Sequence, residues 1–415
     1  MSKKIDERLP QQTGKGLLPD CPVMKTPWDK AISYKESIHY ISRYFSVLSS
    51  AIMQAYRILI PDYALRSKIM CEDAYARMYY TTGMNGKDAA MNEINVHPFM
   101  RGGFCGALSG DAGDECYLMC GRVNDFGTYR VEKELDVCDW DIIGTELCRA
   151  TTMSLAAGAV CRQEMLRKGP SMDYCMVEAR GAGDRHCRIV AESREKYPMP
   201  EHEIWQSFGP IATEDQIRNT QEEDTVKESM VFREDANYRY ESGTHQLNYS
   251  QSTAGNRFVH AASLYLLPAI DAAIRAGVCT EEQVKHVLRC VLEAAGKAAW
   301  GDRVAIEAHR QWLGVPRDFS ENDGRIMGAH VEMILQASGT QYTVEAFNKD
   351  EVILVFPTMM LNILTPRVVP CMLDFWYGEC KTLVSPEWSL WAEPTESTPE
   401  GMCRIKIAKK IDKFC

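Results

Sequence analysis

Thiols and carboxylates that could do chemistry lie close together between residues 136 and 187. Cys138 is followed by Asp139 and Asp141, and a helix is predicted over residues 141–167. The unbonded N–H groups at the start of a helix favour an anion, which would lower the pKa of the Cys138 thiol. The two carboxylates would raise that pKa by charge repulsion unless one of them acts as the base. This pattern predicts Cys138 as a nucleophile or site thiol, with Asp139 or Asp141 as the general base.

A predicted β-hairpin follows this helix and supplies further candidate groups. Its first strand covers residues 176–180, Gly and Asp residues at 181–184 favour a turn, and its second strand passes through Cys187. Glu178 in the first strand is predicted to be the orienting acid. Either His186, beside Cys187, or His245, in a more distant segment, is the predicted proton shuttle.

Other interpretations of the cysteines stay open at this point. Buried thiols often act only as small hydrophobic side chains, which is the simplest interpretation of any single cysteine. A zinc site is another, because thiolates with a carboxylate are suitable ligands, although the Cys-x-x-Cys spacing is absent. His97, His309 and His330 are each expected to be surface or hydrogen-bonded histidines.

The elements that must position these groups occur twice, in residues 36–190 and 257–407. A second helix is predicted to begin at Asp62 in the first copy and with a capping box at residues 280–283 in the second. The opening helix of each copy has apolar residues at three- and four-residue steps, the period of an amphipathic helix. In the first copy these are Ile38, Ile41, Phe45, Leu48 and Ile52. Since order and helical phase recur together, we interpret the chain as an internal duplication.

The second copy serves as a partial control on the candidate site. Opposite Cys138 it has residues 349–353, which contain no thiol. We therefore expect the reactive thiol, and the site, mainly in the first copy. The other matched positions are Glu178 with Glu393, Cys187 with Cys403, and strand residues 127–132 with 339–345.

The duplication predicts an α+β fold in which each copy packs N-terminal helices on a mainly antiparallel sheet. Between the copies the apolar periodicity is weak and acidic residues are frequent, which predicts an irregular linker or a lid over a site. The predicted organisation is an N-terminal extension at 1–35, a first repeat at 36–194, the linker or lid at 195–250, and a second repeat at 251–415.

Bulk composition excludes several classes of function. The 415 residues are 45% hydrophobic and 25% charged, as in globular proteins, and the net charge of −10 disfavours nucleic acid or an anionic membrane as partner. Because the sequence has neither a signal-peptide pattern nor eighteen consecutive apolar residues, we expect a cytoplasmic protein. Its sixteen cysteines are then expected to be mostly reduced, and so many thiols suit an anaerobic source.

An acid-flanked cysteine, a helix bearing Cys148 and an Ala/Gly-rich stretch at 154–161 form a pattern that resembles the L-2-amino-thiazoline-4-carboxylic acid hydrolase family. That resemblance implies hydrolysis of a small heterocyclic ring in the cytoplasm, without an organic cofactor.

The hairpin also resembles the 4-vinyl reductase-like small-molecule-binding domain, through Glu178, Gly183-Asp184 and Cys187. This second resemblance implies zinc ligands at Cys161, Glu178 and Cys187, with Gly181 standing where a further cysteine is expected. Two copies in one chain would correspond to a fused version of a domain that elsewhere pairs as a dimer.

Three functions from different classes follow from the sequence. The first is a hydrolase that opens a small cyclic substrate at a C–N, C–S or C–C bond. The second is a non-catalytic sensor or carrier that holds a small molecule in a pocket lined by Met, Phe and Tyr; an accessory subunit of an anaerobic enzyme system is a third. A homodimer is a further expectation, and no nucleic-acid or membrane partner is expected.

Overall fold

The computed structural model describes twelve stretches of the chain. They are residues 2–3, 22–81, 122–126, 130–135, 141–144, 146, 172–193, 266–319, 322–337, 340–357, 371–393 and 401–410.

The chain divides into two compact units, each with its own packing. The helical unit comprises residues 1–13, 17–61 and 249–415, and the hairpin unit comprises residues 14–16 and 62–248. The repeats predicted from the sequence have other boundaries than these two units, because the prediction concerned a duplication of the sequence and not the packing of the chain. The duplication and its boundaries stay a prediction.

The described residues form eleven strands and seven helices. The strands are β1 Ser2–Lys3, β2 Pro22–Lys25, β3 Ala31–Ser33, β4 Arg122–Phe126, β5 Arg130–Leu135, β6 Met172–Glu178, β7 Cys187–Ser193, β8 Tyr342–Phe347, β9 Glu351–Pro357, β10 Trp388–Ala392 and β11 Met402–Lys409. The helices are α1 Tyr34–Leu59, α2 Tyr63–Thr81, α3 Leu267–Arg275, α4 Glu281–Ala298, α5 Arg303–Leu313, α6 Arg325–Ala337 and α7 Cys371–Leu383.

All strand pairs in the described sheets are antiparallel. The helical unit has a five-stranded sheet in the order β1-β8-β9-β11-β10 and a two-stranded sheet, β2-β3. The hairpin unit has a four-stranded sheet in the order β4-β5-β7-β6. Helices combined with antiparallel sheets confirm the predicted α+β class.

The two larger sheets arrange their hairpins in the same way. When the two-residue strand β1 is left out, the second strand of each sheet pairs with the last strand, which also pairs with the third. Arg188 lies 3.5 Å from Glu178 across β6 and β7, and Arg404 forms an ion pair with Glu393 at the corresponding place beside β10 and β11. Glu178 and Glu393, which the sequence prediction matched, are therefore each paired with an arginine from the last strand of their sheet.

One part of the predicted alignment differs from the order of the strands in the two sheets. The alignment matches residues 127–132, which reach into β5, with residues 339–345, which reach into β8, whereas β5 and β9 hold corresponding positions in the sheets. The alignment, including the match of Cys138 with residues 349–353, stays a prediction. The segment that follows β9 lies outside the described residues.

Local capping signals set the starts of the helices. Thr280 and Gln283 form the predicted capping box of α4, and Asp62 accepts a hydrogen bond from the Leu65 N–H in the first turn of α2. A second capping box, formed by Ser33 and Glu36, begins α1. In the predicted apolar stripe of α1, Leu48 and Ile52 are buried, while the side chains of Ile38, Ile41 and Phe45 lie outside the described set.

Helices α4 and α7 cross at two glycines. A Cβ on Gly296 would lie 2.1 Å from the Phe375 carbonyl oxygen, and a Cβ on Gly378 would lie 2.2 Å from that of Glu293. Such distances are impossible for real atoms, so only glycine at both positions allows the backbones to meet. Beside them, α6 is buried from Ile326 to Ala337, as expected for a helix at the centre of a core.

The predicted hairpin of the hairpin unit is confirmed, with a small difference in its turn. A 3-10 helix at Arg180–Ala182 connects β6 to β7, and Gly183 closes it with φ 102°. Residues 141–167 were predicted to be helical; the structure has a 3-10 helix at Asp141–Ile143, and most of the remainder lies outside the described residues. No helix in the described part of the chain is both long and apolar enough to cross a membrane.

Candidate functional site

The helical unit brings together a chain of hydrogen-bonding side chains from four helices. Tyr40 and Tyr44 come from α1, His309 from α5, His330 from α6 and Glu379 from α7. Neither His330 nor Glu379 has any exposed side-chain surface. A buried acid and imidazole in contact are costly unless each is hydrogen-bonded, so their arrangement needs an explanation.

Glu379 accepts hydrogen bonds on both carboxylate oxygens. The indole N–H of Trp300 donates to Oε1 at 3.1 Å, and the Tyr44 hydroxyl donates to Oε2 at 3.2 Å. Nε2 of His330 lies 3.1 Å from Oε2. Three donors directed at one carboxylate stabilise its charged form in a buried position.

The other nitrogen of His330 faces the hydroxyl of Tyr40. These two atoms, Nδ1 and Oη, are 2.7 Å apart. Because the carboxylate of Glu379 can only accept, Nε2 of His330 carries the hydrogen, and in the neutral ring Nδ1 is the acceptor. The Tyr40 hydroxyl then donates to Nδ1, which completes a chain from Glu379 through His330 to Tyr40.

Both tyrosines are held in the protonated form. Burial and, to a lesser extent, the negative charge of Glu379 raise the pKa of Tyr40 well above its ordinary value. The same two causes, in the same order, raise the pKa of Tyr44. Each phenol is therefore a hydrogen-bond donor near neutral pH, as the geometry around Glu379 and His330 requires.

Aromatic rings enclose this chain. Tyr40 stacks on Trp312 with ring centroids 4.3 Å apart, and His309 stacks on Trp300 at 4.0 Å. The planes of Tyr40 and His309 differ by only 7°. Since Tyr40, Trp300 and Trp312 are only partly buried, the aromatic end of the chain is the end nearest to solvent.

Local structure explains how the helices place these groups. Tyr40 and Tyr44 are four residues apart and so lie on one face of α1. Glu379 follows Gly378, the residue at which α7 touches α4, so the close crossing sets its depth. Lys30 donates to the carbonyl oxygens of Gln311 and Trp312, which fixes the C-terminal end of α5.

The arrangement has the parts of an acid–base relay. A carboxylate orients an imidazole, and the imidazole hydrogen-bonds to a phenol that lies near the surface. This is the logic of a catalytic triad, in which a third group orients the base beside the group that contacts the substrate. The relay can take a proton at Tyr40 and stabilise the resulting imidazolium with Glu379.

Sequence reasoning missed most of this site. His309 and His330 were expected to be surface or hydrogen-bonded histidines, and the structure shows both to be buried and hydrogen-bonded. The two tyrosines and Glu379 were not singled out. A carboxylate between Gly378 and Cys380, in an apolar helix, was the one signal that could have pointed to it.

The hairpin unit places some of the predicted site residues in ion pairs. Asp141 accepts two hydrogen bonds from the Arg180 guanidinium, from Nε at 3.1 Å and from a terminal nitrogen at 2.9 Å. Glu178 lies 2.6 Å from Nε2 of His186 at ion-pair distance, without the alignment of a hydrogen bond, and also contacts Arg188. Glu178 and His186 are thus in contact, and the roles predicted for them stay a prediction.

The predicted metal ligands are placed only in part. Cys187 is buried, and its sulfur accepts a hydrogen bond from the Arg180 N–H at 3.4 Å. Within the described stretches, no three His, Cys, Asp or Glu side chains are grouped so as to hold a metal. Cys161 lies outside them, so the zinc site stays a prediction. The same is true of the roles proposed for Cys138, Asp139 and His245.

Two thiols in the helical unit behave as core side chains. Burial raises the pKa of Cys380 to about 12 and that of Cys403 to about 11. Both are therefore protonated near neutral pH and are poor nucleophiles, which fits the interpretation of a buried cysteine as a small hydrophobic residue.

No family model, no curated protein and no solved structure matches the chain. The two family resemblances seen in the sequence therefore remain expectations, and function must be argued from the geometry of the site.

Proposed function

We propose that the protein is an enzyme that hydrolyses a small cyclic compound, with Glu379, His330 and Tyr40 as its proton relay. The observation that carries this proposal is the chain of contacts at 3.1 Å and 2.7 Å that runs from a fully buried carboxylate to the hydroxyl of Tyr40, a residue that is only partly buried. Acid–base side chains placed in this way typically contribute about 10²- to 10⁴-fold to a rate.

The proposed reaction proceeds in two steps. First, the water oxygen bonds to a ring carbon that is doubly bonded to nitrogen or oxygen, and the π pair of that double bond moves to the nitrogen or oxygen. A water proton passes to the Tyr40 oxygen, and the phenolic proton moves to Nδ1 of His330. Then the pair re-forms the double bond as the C–S or C–N ring bond breaks, and the leaving atom takes a proton from Tyr40, which recovers one from His330. Water is consumed, and the relay ends in its starting state.

Glu379 has two tasks in this scheme. It fixes the ring of His330 with Nε2 protonated, and it stabilises the imidazolium that forms between the two steps. Trp300 and Tyr44 hold the carboxylate in place through hydrogen bonds of 3.1 and 3.2 Å. None of these groups needs to become a phenolate or a thiolate.

A thiol mechanism at Cys138, with Asp139 or Asp141 as base, is the rival within the same reaction class. The two mechanisms predict opposite results for two variants. The assay offers 2-amino-thiazoline-4-carboxylate and related thiazolines and lactams to the full chain and follows the thiol or amine that is released. The relay predicts that His330→Asn loses about 10²-fold or more in kcat while Cys138→Ala keeps its turnover. The reverse pattern would refute the relay and support Cys138.

A non-catalytic sensor or carrier is the second candidate function. The nearly parallel rings of Trp312, Tyr40 and His309 favour it, because flat ligands bind by stacking on such faces. For this function, a cyclic compound would raise the unfolding temperature of the chain without being converted. Ligand-dependent stabilisation with no product after long incubation would establish binding and exclude hydrolysis of that compound.

A further inference from the structure

A second histidine competes with Tyr40 for the same atom of His330. Nε2 of His309 lies 3.2 Å from Nδ1 of His330, which also faces the Tyr40 hydroxyl. His309 is 5% exposed, and its ring is stacked against Trp300, so it cannot easily turn away. The three groups must therefore share hydrogens in a consistent way.

Counting hydrogens gives two allowed states. When His330 is neutral, Nδ1 carries a lone pair, so Nε2 of His309 must carry a hydrogen, since otherwise two lone pairs would face each other at 3.2 Å. When His330 is protonated, Nδ1 carries a hydrogen, and Nε2 of His309 must then be the acceptor. The neutral ring of His309 satisfies both states by moving its own hydrogen between Nε2 and Nδ1.

We infer that His309 is a positioning residue of the relay, which changes tautomer each time His330 gains or loses a proton. The inference rests on the proposed function and describes how the same site is regulated by pH. The titratable groups that face His330 are Tyr40 and Tyr44 from α1, His309 from α5 and Glu379 from α7. Both phenols stay protonated and Glu379 is fixed by its three donors, so His309 is the group that adapts.

The loss of His309 should affect the protonated state of His330 more than the neutral state. A hydrogen bond donated by an imidazolium is about twice as strong as one between neutral groups. In His309→Phe, which keeps a flat ring beside Trp300, His330 should therefore be harder to protonate. We expect the acid limb of the pH–rate profile to move down by roughly half a pH unit or more, about threefold in the protonation constant. His309→Gln should restore the profile, because an amide can donate or accept.

The decisive experiment is a histidine-selective ¹⁵N NMR titration of the full chain, which contains nine histidines. His309 signals are assigned by their loss in His309→Gln. The inference predicts that Nδ1 and Nε2 of His309 exchange their protonated and unprotonated shifts at the same pH at which His330 titrates. A His309 tautomer that stays constant through that pH would overturn it, as would a His309→Phe profile identical to wild type. The NMR readout needs no turnover, so its failure is distinct from a failure of the proposed hydrolysis.

Discussion

At the scale of single residues, the proposed relay is built on a carboxylate with no exposed surface. A buried carboxylate is costly, and Glu379 is retained with three donors around it, which are the Tyr44 hydroxyl, the Trp300 indole and the His330 imidazole. A structural ion pair would not require a phenol at the solvent end, and an apolar pair of similar volume is often more stable than a buried ion pair. We therefore propose that this arrangement serves chemistry rather than stability.

Burial of thiols and phenols makes the fold sensitive to alkali. The pKa of Cys380 is raised to about 12 and that of Cys403 to about 11, from 9.0 for an accessible thiol. Their contribution to stability is complete below pH 9 and is lost as the pH rises towards these values. Each thiol costs about 1.4 kcal/mol per pH unit in that window, and the raised pKa of Tyr40 and Tyr44 acts in the same direction.

We expect the free energy of unfolding, measured by urea titration, to fall steeply between about pH 9 and about pH 11. The variant Cys380→Ala should have a flatter alkaline limb, because the folded state no longer has to bury this thiolate. Cys290→Ala is the matched control, since Cys290 is exposed. An identical alkaline fall in wild type and Cys380→Ala would contradict the effect of burial.

At the scale of elements, the site depends on helices that approach more closely than side chains normally allow. The crossing of α4 and α7 at Gly296 and Gly378 places Glu379 beside Trp300. Helix propensity alone would make Gly→Ala stabilising by about 1 kcal/mol in the middle of a helix. The steric clash predicts that Gly→Ala destabilises the protein instead. A Gly→Ala variant at either position therefore distinguishes the two effects.

Gly378→Ala is predicted to destabilise the protein by about 2–4 kcal/mol, because its Cβ would overlap the Glu293 carbonyl oxygen 2.2 Å away. Thermal and urea unfolding measure the change. Ala294→Ser, on the exposed side of α4, is the control and should change stability by less than about 0.5 kcal/mol. Stabilisation of Gly378→Ala would mean that the helices do not touch at this point.

The start of α1 is a second element on which the relay depends. Ser33 and Glu36 form a reciprocal capping box there, and α1 carries Tyr40 of the relay and Tyr44, which holds Glu379. Ser33→Ala should cost about 1 kcal/mol, whereas Ser33→Thr, which keeps the hydroxyl, should cost little. Equal stabilities of these two variants in urea unfolding would show that the cap contributes nothing.

Some elements follow from the sequence because their causes are local. The α4 capping box and the β6–β7 hairpin depend on residues within a few positions of each other, and both were predicted. The relay depends on residues that are far apart, since Tyr40 and His330 are separated by 290 positions. The apolar periodicity of a helix predicts that the helix has a buried face. It predicts neither which other helix packs against that face nor that two of the buried residues are polar.

At the scale of the whole molecule, the internal duplication is a proposal that two structural observations support. Apart from β1, the larger sheet of the helical unit and the sheet of the hairpin unit share one strand order, and both contain an arginine, next to the cysteine of the last strand, that pairs with a glutamate. His186 lies beside Glu178 in the hairpin unit, whereas Met402 occupies the matching place in the helical unit. If the chain is duplicated, its two copies have diverged in the groups that could do chemistry.

The measurement that tests the central claim most directly is kcat of Tyr40→Phe beside Tyr56→Phe in the full chain, with urea stability measured for both. Each variant removes one phenol hydroxyl from α1, and Tyr56 donates to the Ala269 carbonyl oxygen away from the relay. We predict that both variants lose a similar 1–2 kcal/mol of stability at about the usual cost of a hydrogen bond, while Tyr40→Phe alone loses about 10²-fold or more in kcat. Equal turnover in Tyr40→Phe, Tyr56→Phe and wild type would contradict the relay and leave Glu379, His330 and Tyr40 as a structural network.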